Sequence, residues 1–212
     1  DVTASEFTLF GQIVIMLLIQ IGGLGLMTLM AVFILLLKSR LSMHEKIAMK
    51  EMLNQEQVFN MHRFLLDILK YTLLFEGGGM ILLSFRFIPE FGLFSGLFKA
   101  MFLAVSAFCN AGFDILGSVS LMEYAHDPLV MFTIMALIVL GGLGFAVWFD
   151  LRDKLKLLFR RQLKLNRLRK SLSLHTRIVL DMTLLLIFVT AALLFLLEWD
   201  NPGTLASFNW WE

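Results

Sequence analysis

The chain has 212 residues, of which 58% are hydrophobic and 17% charged, with a net charge of +1 and a mean hydropathy of +0.81. This composition is far more apolar than that of soluble domains and indicates an integral membrane protein, so the lipid bilayer is an expected partner. One cysteine excludes a disulfide framework, and the four histidines, at positions 44, 62, 126 and 175, lack the spacing of metal ligands. We therefore expect no protein-bound metal and no cofactor.

Four apolar stretches are long enough to cross a bilayer, which takes about 20 residues. They cover residues 9–37, 64–88, 129–149 and 178–198, and we expect a helix from each. The sequence starts without Met and ends in the aromatic stretch FNWWE, which resembles an unfinished segment at a membrane interface. These two features indicate a fragment of a longer protein.

The basic residues predict the topology. Fifteen of the 18 Lys and Arg residues lie in segments 38–63 and 150–177, and the positive-inside rule places both segments in the cytoplasm. The spans 64–88 and 129–149 separate these segments and return the chain to the same side, so residues 91–109 cannot form a further crossing. We expect that apolar stretch to enter the membrane from outside and turn back, as a re-entrant helix of about 16 residues and roughly 24 Å.

A polar patch, SAFCNAGFD at residues 106–114, ends the re-entrant segment. A turn inside the bilayer persists only where protein or water surrounds its backbone. Gly112 permits a left-handed backbone, Asn110 supplies a carbonyl, and the helix dipole favours a cation at the carboxyl end of the helix. From these residues alone, a cation filter of carbonyl oxygens and a surface loop after an interfacial helix are both open.

An internal repeat is visible in two of the predicted helices. IMLLIQIGGLGL at residues 15–26 matches IMALIVLGGLGF at residues 134–145, with a constant offset of 119 residues. Two copies indicate a repeated structural unit, and small residues within a membrane let helix backbones approach closely. The glycines expected to provide this packing are Gly22, Gly23, Gly25, Gly141, Gly142 and Gly144.

Three stretches together resemble one family. GQIVIMLLIQIGGLGLMT at residues 11–28, SAFCNAGFD at 106–114 and GGLGF at 141–145 are similar to the potassium-uptake subunits of the Trk/Ktr/HKT superfamily, most closely the KtrB type. The resemblance implies an all-α membrane protein whose potassium-channel-like pore contains four helix–pore-loop–helix repeats in one polypeptide.

The resemblance also implies how the chain divides among these repeats. The segments are the second helix of repeat one at 1–37, a cytoplasmic loop at 38–63, the complete repeat two at 64–149, a basic cytoplasmic segment at 150–177, and the first helix and start of the pore segment of repeat three at 178–212. Repeat two contains a helix at 64–88, the re-entrant pore helix and filter at 91–114, and a helix at 129–149.

The function that the resemblance implies is potassium uptake across the plasma membrane, with Na⁺ as a coupling or competing ion and no enzymatic activity. The filter position of the family maps onto Asn110, Ala111, Gly112 and Phe113, whose backbone carbonyls would coordinate the ion. Implied partners are a second copy of the parent chain, in a homodimer, and a cytosolic ring of nucleotide-binding regulatory subunits. The alternative is a polytopic carrier whose glycine-broken helices form a site without a carbonyl filter.

Three further residues are candidates for supporting the pore. Glu76 lies about 18 Å along its helix, near the middle of the bilayer. Such a carboxylate indicates a functional site, and the alternative is a hydrogen-bond anchor that holds the pore hairpin. Cys109 and Asp114 flank the filter position. Near the cytoplasmic surface, Arg177 and Asp181 are four residues apart, which predicts a structural ion pair.

The basic segment 150–177 interleaves apolar and basic residues. It fits either an amphipathic surface helix attracted to anionic lipid or a docking face for the regulatory ring. Nucleic-acid binding is not expected, because the basic cluster lies close to two membrane helices and lacks the interleaved aromatic residues that stack on bases.

Overall fold

The computed structural model describes residues 3–25, 61–117, 119–160, 168–199 and 201. Within these ranges every regular element is helical, which confirms the predicted all-α fold. The chain divides into two compact units, Asp1–Gly142 and Leu143–Glu212. The helices are α1 (Thr3–Glu6), α2 (Leu9–Gly23), α3 (Met61–Phe91), α4 (Leu93–Phe108), a 3₁₀ helix (Ser120–Tyr124), α5 (Pro128–Gly142), α6 (Phe145–Phe159), α7 (Leu168–Ser171) and α8 (Leu174–Glu198).

Two helices in the described ranges are long and apolar enough to cross a membrane, namely Leu65–Phe91 of α3 and the whole of α8. A third span results if α5 and α6 are counted together. α2 and α4 are also apolar but contain only 15 and 16 residues. α4 occupies the segment for which a re-entrant helix is predicted, and its length corresponds to about 24 Å, which is short of a full crossing.

Two of the predicted helices differ from the helices observed. The sequence predicts single helices over 9–37 and 129–149, whereas α2 ends at Gly23 and α5 ends at Gly142. A separate helix, α6, starts at Phe145 and runs beyond the predicted boundary. The rest of the first predicted helix, from residue 26 onward, lies outside the described residues.

α2 and α5 both end because a glycine follows two residues after the last helical residue. Gly25 and Gly144 each have a φ of +80°. An α-helix requires negative φ, and only glycine adopts the left-handed region without a steric cost. The two glycines are 119 residues apart, like the sequence repeat itself. The repeat is therefore structural as well as sequential, and its third glycine ends the helix instead of packing within it.

A tight hairpin joins α3 to α4 in the first unit. Gly92, with a φ of +81°, forms the turn, and its N–H donates to the Ile88 carbonyl at 2.9 Å. One turn into α4, a Cβ on Gly96 would lie 2.5 Å from the Phe87 carbonyl oxygen. A side chain at that position would separate the helices, so Gly96 lets α4 fold back directly against α3.

α4 is the centre of the first unit. α2, α3 and α5 pack against it, and every residue from Phe102 to Phe108 is buried. The α8 helix of the second unit has an equally apolar sequence, yet Thr176 is its only buried residue among those described. A short apolar helix enclosed by protein satisfies the condition for a chain that turns back inside a bilayer, because the backbone at its end is shielded from lipid.

The second unit contains α6, α7 and α8. Ser173 caps α8, since its hydroxyl accepts a backbone N–H of the first turn at 3.1 Å. The Ser173 N–H donates to Asp150 Oδ2 at 2.8 Å, which ties the start of α8 to α6. Asp181 pairs with Arg169 at 2.8 Å, rather than with Arg177 as the spacing of four predicts. Asp181 therefore pairs with a residue of α7 and not with a residue of its own helix.

The topology can be tested with single cysteines introduced into a full-length protein from which all native cysteines have been removed. Glu123→Cys is expected to react with a membrane-impermeant thiol reagent added to intact cells, because Glu123 is exposed and lies between α4 and α5 on the proposed outer side. Ser42→Cys and Asn166→Cys, at positions outside the described residues, are expected to stay unlabelled until the membrane is opened. Labelling of position 166 in intact cells would mean that residues 91–109 cross the membrane.

Candidate functional site

The turn at the carboxyl end of α4 begins with a helix cap. The Asn110 N–H donates to the Ala107 carbonyl at 3.2 Å, and the Ala111 N–H donates to the Ser106 carbonyl at 2.9 Å. Asn110 has a φ of +54°. This combination is a Schellman motif, in which asparagine replaces the more common glycine. Asn110 was selected from the sequence for its side-chain carbonyl, but its backbone conformation is what ends the helix.

The cap changes which oxygens are available to a ligand. The carbonyls of Val105, Ser106 and Ala107, near the end of the helix, accept hydrogen bonds from residues 109–111. The carbonyls predicted to coordinate an ion, those of Asn110 to Phe113, lie beyond these capped residues.

The backbone of these four residues alternates in handedness. Asn110 and Gly112 have φ values of +54° and +75°, whereas Ala111 and Phe113 have negative φ. A Cβ built on Gly112 would meet no atom within 4 Å in the part of the chain that the structure describes. Glycine is therefore required at position 112 for its conformation and not for space. Phe113 is 43% exposed, so the turn lies at the surface of the chain while α4 behind it is buried.

The two glycine motifs approach this turn from different helices. A Cβ on Gly23 of α2 would collide with the Cys109 side chain, and a Cβ on Gly141 of α5 would collide with the Phe108 carbonyl oxygen. Around Gly142 the nearest atom is Asn110 Nδ2, at 3.9 Å. Close packing is thus found at Gly23 and Gly141, while at Gly22, Gly25 and Gly144 a Cβ would meet none of the described residues within 4 Å.

Glu76 of α3 lies beside the same turn. It is 8% exposed, it hydrogen-bonds the side chain of Gln20 in α2, and the Cys109 thiol points at its Oε1 from 3.9 Å. A thiol is a weak donor, so the amide of Gln20 is the stronger partner. Glu76 therefore connects α2, α3 and the start of the turn, which is the geometry expected of a hydrogen-bond anchor.

Asp114 follows the turn and is 3% exposed. Its Oδ1 accepts the Leu116 N–H at 3.1 Å, and its Oδ2 accepts the Ser120 hydroxyl. Lys99 of α4 approaches the same stretch, donating to the Leu116 carbonyl at 3.5 Å while its Nζ lies 3.7 Å from the centre of the Phe91 ring. Lys99 was not predicted from the sequence, although a lone lysine inside the apolar segment 91–109 is a visible signal.

Comparisons with known proteins agree with this architecture. Residues 2–202 match the model of the TrkH family, described as cation transport protein. The chain is 42% identical over 97% of its length to the Ktr system potassium uptake protein B of Vibrio alginolyticus, and 38% identical over 96% to that of Bacillus subtilis strain 168. It is also 38% identical over 96% of its length to the potassium/sodium uptake protein NtpJ of Enterococcus hirae.

The aligned chain spans only 42% to 43% of the length of these three relatives. The family match nevertheless covers nearly all of this chain. Its apolar helices are those of a multi-pass protein of the cell membrane. The resemblance noted from the glycine motifs and the polar patch is thereby confirmed, and the chain belongs to the TrkH family of cation transport proteins.

Proposed function

We propose that this chain forms part of a potassium-uptake pore and that the backbone carbonyls of Asn110, Ala111, Gly112 and Phe113 coordinate the permeating ion. The observation that carries the proposal is the alternating sign of φ in this exposed turn. In an ordinary strand successive carbonyls point to opposite sides, whereas alternating handedness can turn neighbouring carbonyls toward one side. Filters that select potassium replace the ion's hydration shell with carbonyl oxygens in this manner.

The surroundings of the turn favour a cation over an anion. The turn follows the carboxyl end of α4, where the helix dipole is negative. Its four residues are uncharged, so ligands would be dipolar oxygens instead of carboxylates. The nearby carboxyls of Glu76 and Asp114 are engaged in hydrogen bonds to Gln20, Leu116 and Ser120. We therefore assign them the role of supporting the turn and not of binding the ion.

The complete pore requires more than this chain. We propose that residues 64–149 are one whole repeat, that 1–37 and 178–212 belong to the repeats before and after it, and that the rest of the full-length protein supplies the other filter loops. The chain spans less than half the length of its relatives, which are named for potassium uptake or potassium/sodium uptake. We propose further that the full-length protein forms a homodimer and binds a cytosolic regulatory ring. Its loops at 38–63 and 150–177 would then be cytoplasmic.

One observation favours a second candidate, a carrier with glycine-broken helices. The paired helix ends before Gly25 and Gly144 are such breaks. A carrier of this kind places charged groups at its site, and Glu76 is the buried carboxylate near the broken helix α2. The two candidates differ in whether the carbonyls of the turn determine the choice of ion.

Uptake by the full-length protein tests the proposed function. Expressed in cells without their own potassium-uptake systems, it is expected to restore growth at low external K⁺ and to produce saturable K⁺ uptake above that of cells with an empty vector. Na⁺ uptake is measured in the same cells, because one relative is named for both ions. Absence of uptake of either ion, with the protein present in the membrane and its regulatory partner coexpressed, would contradict the proposal.

A further inference from the structure

Four side chains join the end of α3 to the segment that follows the turn. Arg86 and Glu90 of α3 pair through Nη1 and Oε2 at 2.8 Å. Arg86 Nε donates to Asp127 Oδ2 at 2.8 Å, and the Tyr124 hydroxyl donates to Glu90 Oε1 at 2.8 Å. We name these four residues the clasp. It connects Arg86 and Glu90, which are one helical turn apart in α3, with Tyr124 and Asp127, which are three residues apart in the segment 119–127.

The clasp is shielded from solvent at Tyr124 and open at Arg86 and Glu90, whose side chains are 42% and 32% exposed. Tyr124 is 2% exposed, and its ring meets the edge of the fully buried Phe87 ring with centroids 5.3 Å apart. The Arg86 guanidinium lies 5.5 Å from the centre of the Tyr124 ring. Burial, together with the hydrogen bond to Glu90, raises the pKa of the Tyr124 hydroxyl. The hydroxyl therefore stays protonated and remains a donor across the physiological pH range.

Asp127 has a second function in the same segment. While Oδ2 accepts Arg86, Oδ1 accepts the backbone N–H groups of Leu129 and Val130 at 3.0 and 3.3 Å. It thus caps the start of α5 and fixes that start to α3. Charge-assisted hydrogen bonds of this kind are about twice as strong as neutral ones.

The clasp is connected to the turn through a short path. Tyr124 is the last residue of the 3₁₀ helix that starts at Ser120, and the Ser120 hydroxyl binds Asp114, the residue directly after Phe113. On the other side, the turn is fixed by the cap of α4. The two ends of the turn are therefore held independently, one by the helix and the other by the clasped segment.

We infer that the clasp positions the carbonyls of Asn110 to Phe113 through the segment that follows Phe113. Arg86 is the positioning residue, because it joins the carboxylates of Glu90 and Asp127. This inference depends on the proposed filter function. A turn that contains glycine has more conformational freedom than its neighbours, so its geometry has to be imposed from outside. Sites of this kind require their binding groups within about 0.5 Å of the productive geometry.

Two substitutions remove single clasp contacts and keep the fold. Asp127→Asn retains a good helix cap but exchanges one of the two charged partners of Arg86 for a neutral amide. Tyr124→Phe keeps the ring against Phe87 and removes only the hydroxyl. In the full-length transporter, each is expected to lower the apparent affinity for K⁺ by about 3- to 10-fold, the factor that one hydrogen bond of ordinary strength gives. We expect the ratio of K⁺ to Na⁺ uptake to fall with it.

Glu123→Gln is the control for loss of charge in this segment, because Glu123 is an exposed carboxylate that acts on Tyr124 through its charge and is not one of the four hydrogen-bonded clasp residues. Concentration-dependent uptake of both ions is measured at matched protein level, together with the thermal stability of each purified variant. If Asp127→Asn and Tyr124→Phe lower stability but leave affinity and ion preference like those of Glu123→Gln, the clasp is only structural and the inference is overturned.

The same experiment separates this inference from the proposed function. Wild-type uptake of K⁺ that is sensitive to changes at Gly112 but not at Tyr124 or Asp127 would overturn the clasp inference alone. A wild-type protein that moves neither ion would overturn the proposed function, and the inference with it. Reduced affinity and reduced ion preference in both clasp variants, with the control unchanged, would support both.

Discussion

Gly141→Ala is expected to prevent correct assembly of the full-length protein, whereas Gly142→Ala is expected to be tolerated. The Cβ at position 141 would collide with the backbone oxygen of Phe108, which cannot move aside as a side chain would. Overpacking of a well-packed interior typically costs 1–3 kcal/mol, and against a rigid backbone atom we expect about 3 kcal/mol or more. At Gly142 the nearest atom is 3.9 Å from the new Cβ.

Membrane-inserted protein level and thermal stability in detergent measure this effect, followed by uptake where protein remains. Gly142→Ala is a demanding control because it makes the same substitution at the neighbouring position, where the higher helix propensity of alanine adds up to about 1 kcal/mol of stability. Equal protein level and equal stability in the two variants would show that α5 does not contact the end of α4 as the structure has it.

Gly112→Ser is expected to change the choice of ion without loss of the fold. There is space for a side chain at this position, but the φ of +75° is unfavourable for any residue with a Cβ. The cost of that conformation is about 1–2 kcal/mol, so apparent K⁺ affinity or the K⁺ to Na⁺ uptake ratio should fall roughly 5- to 30-fold if the turn adjusts at the expense of its carbonyl geometry. Concentration-dependent uptake of both ions measures the change.

Gly22→Ser is the control for this substitution. It also converts a glycine to serine, but in the last turn of α2, where a Cβ meets no atom of the described residues within 4 Å. We expect protein level to be similar in both variants and ion preference to change only in Gly112→Ser. Unchanged affinity and unchanged preference in Gly112→Ser would exclude the carbonyls of the turn as the filter and favour the carrier with broken helices.

The position of the turn at the end of α4 was predictable from the sequence because membrane insertion depends on simple quantities. Hydropathy located the apolar segments, and the distribution of basic residues predicted that residues 91–109 do not cross the membrane; the structure has a short, buried helix there, α4. The polar residues 109–114 were conspicuous because they interrupt that segment. The offset of 119 residues between glycine motifs predicted a repeat, and Gly25 and Gly144 have the same backbone conformation.

The remaining features depend on contacts that a linear pattern does not contain. Gly141 and Gly142 are adjacent and identical in type, and only the rotation of α5 against α4 determines which of them meets the Phe108 carbonyl. The clasp joins residues 34 and 41 positions apart. Its signal was nevertheless present, because Arg86 is one of only three basic residues in the sequence outside segments 38–63 and 150–177.

The enclosure of α4 has a consequence for how the protein is synthesised. α4 leaves the ribosome after α3 and well before α5, yet part of its enclosure is provided by α5, through the contact between Phe108 and Gly141. Until α5 has been translated, the capped end of α4 lacks the protein surroundings that a turn inside the bilayer requires. The protein surroundings of this turn are therefore complete only after the following helix has been translated.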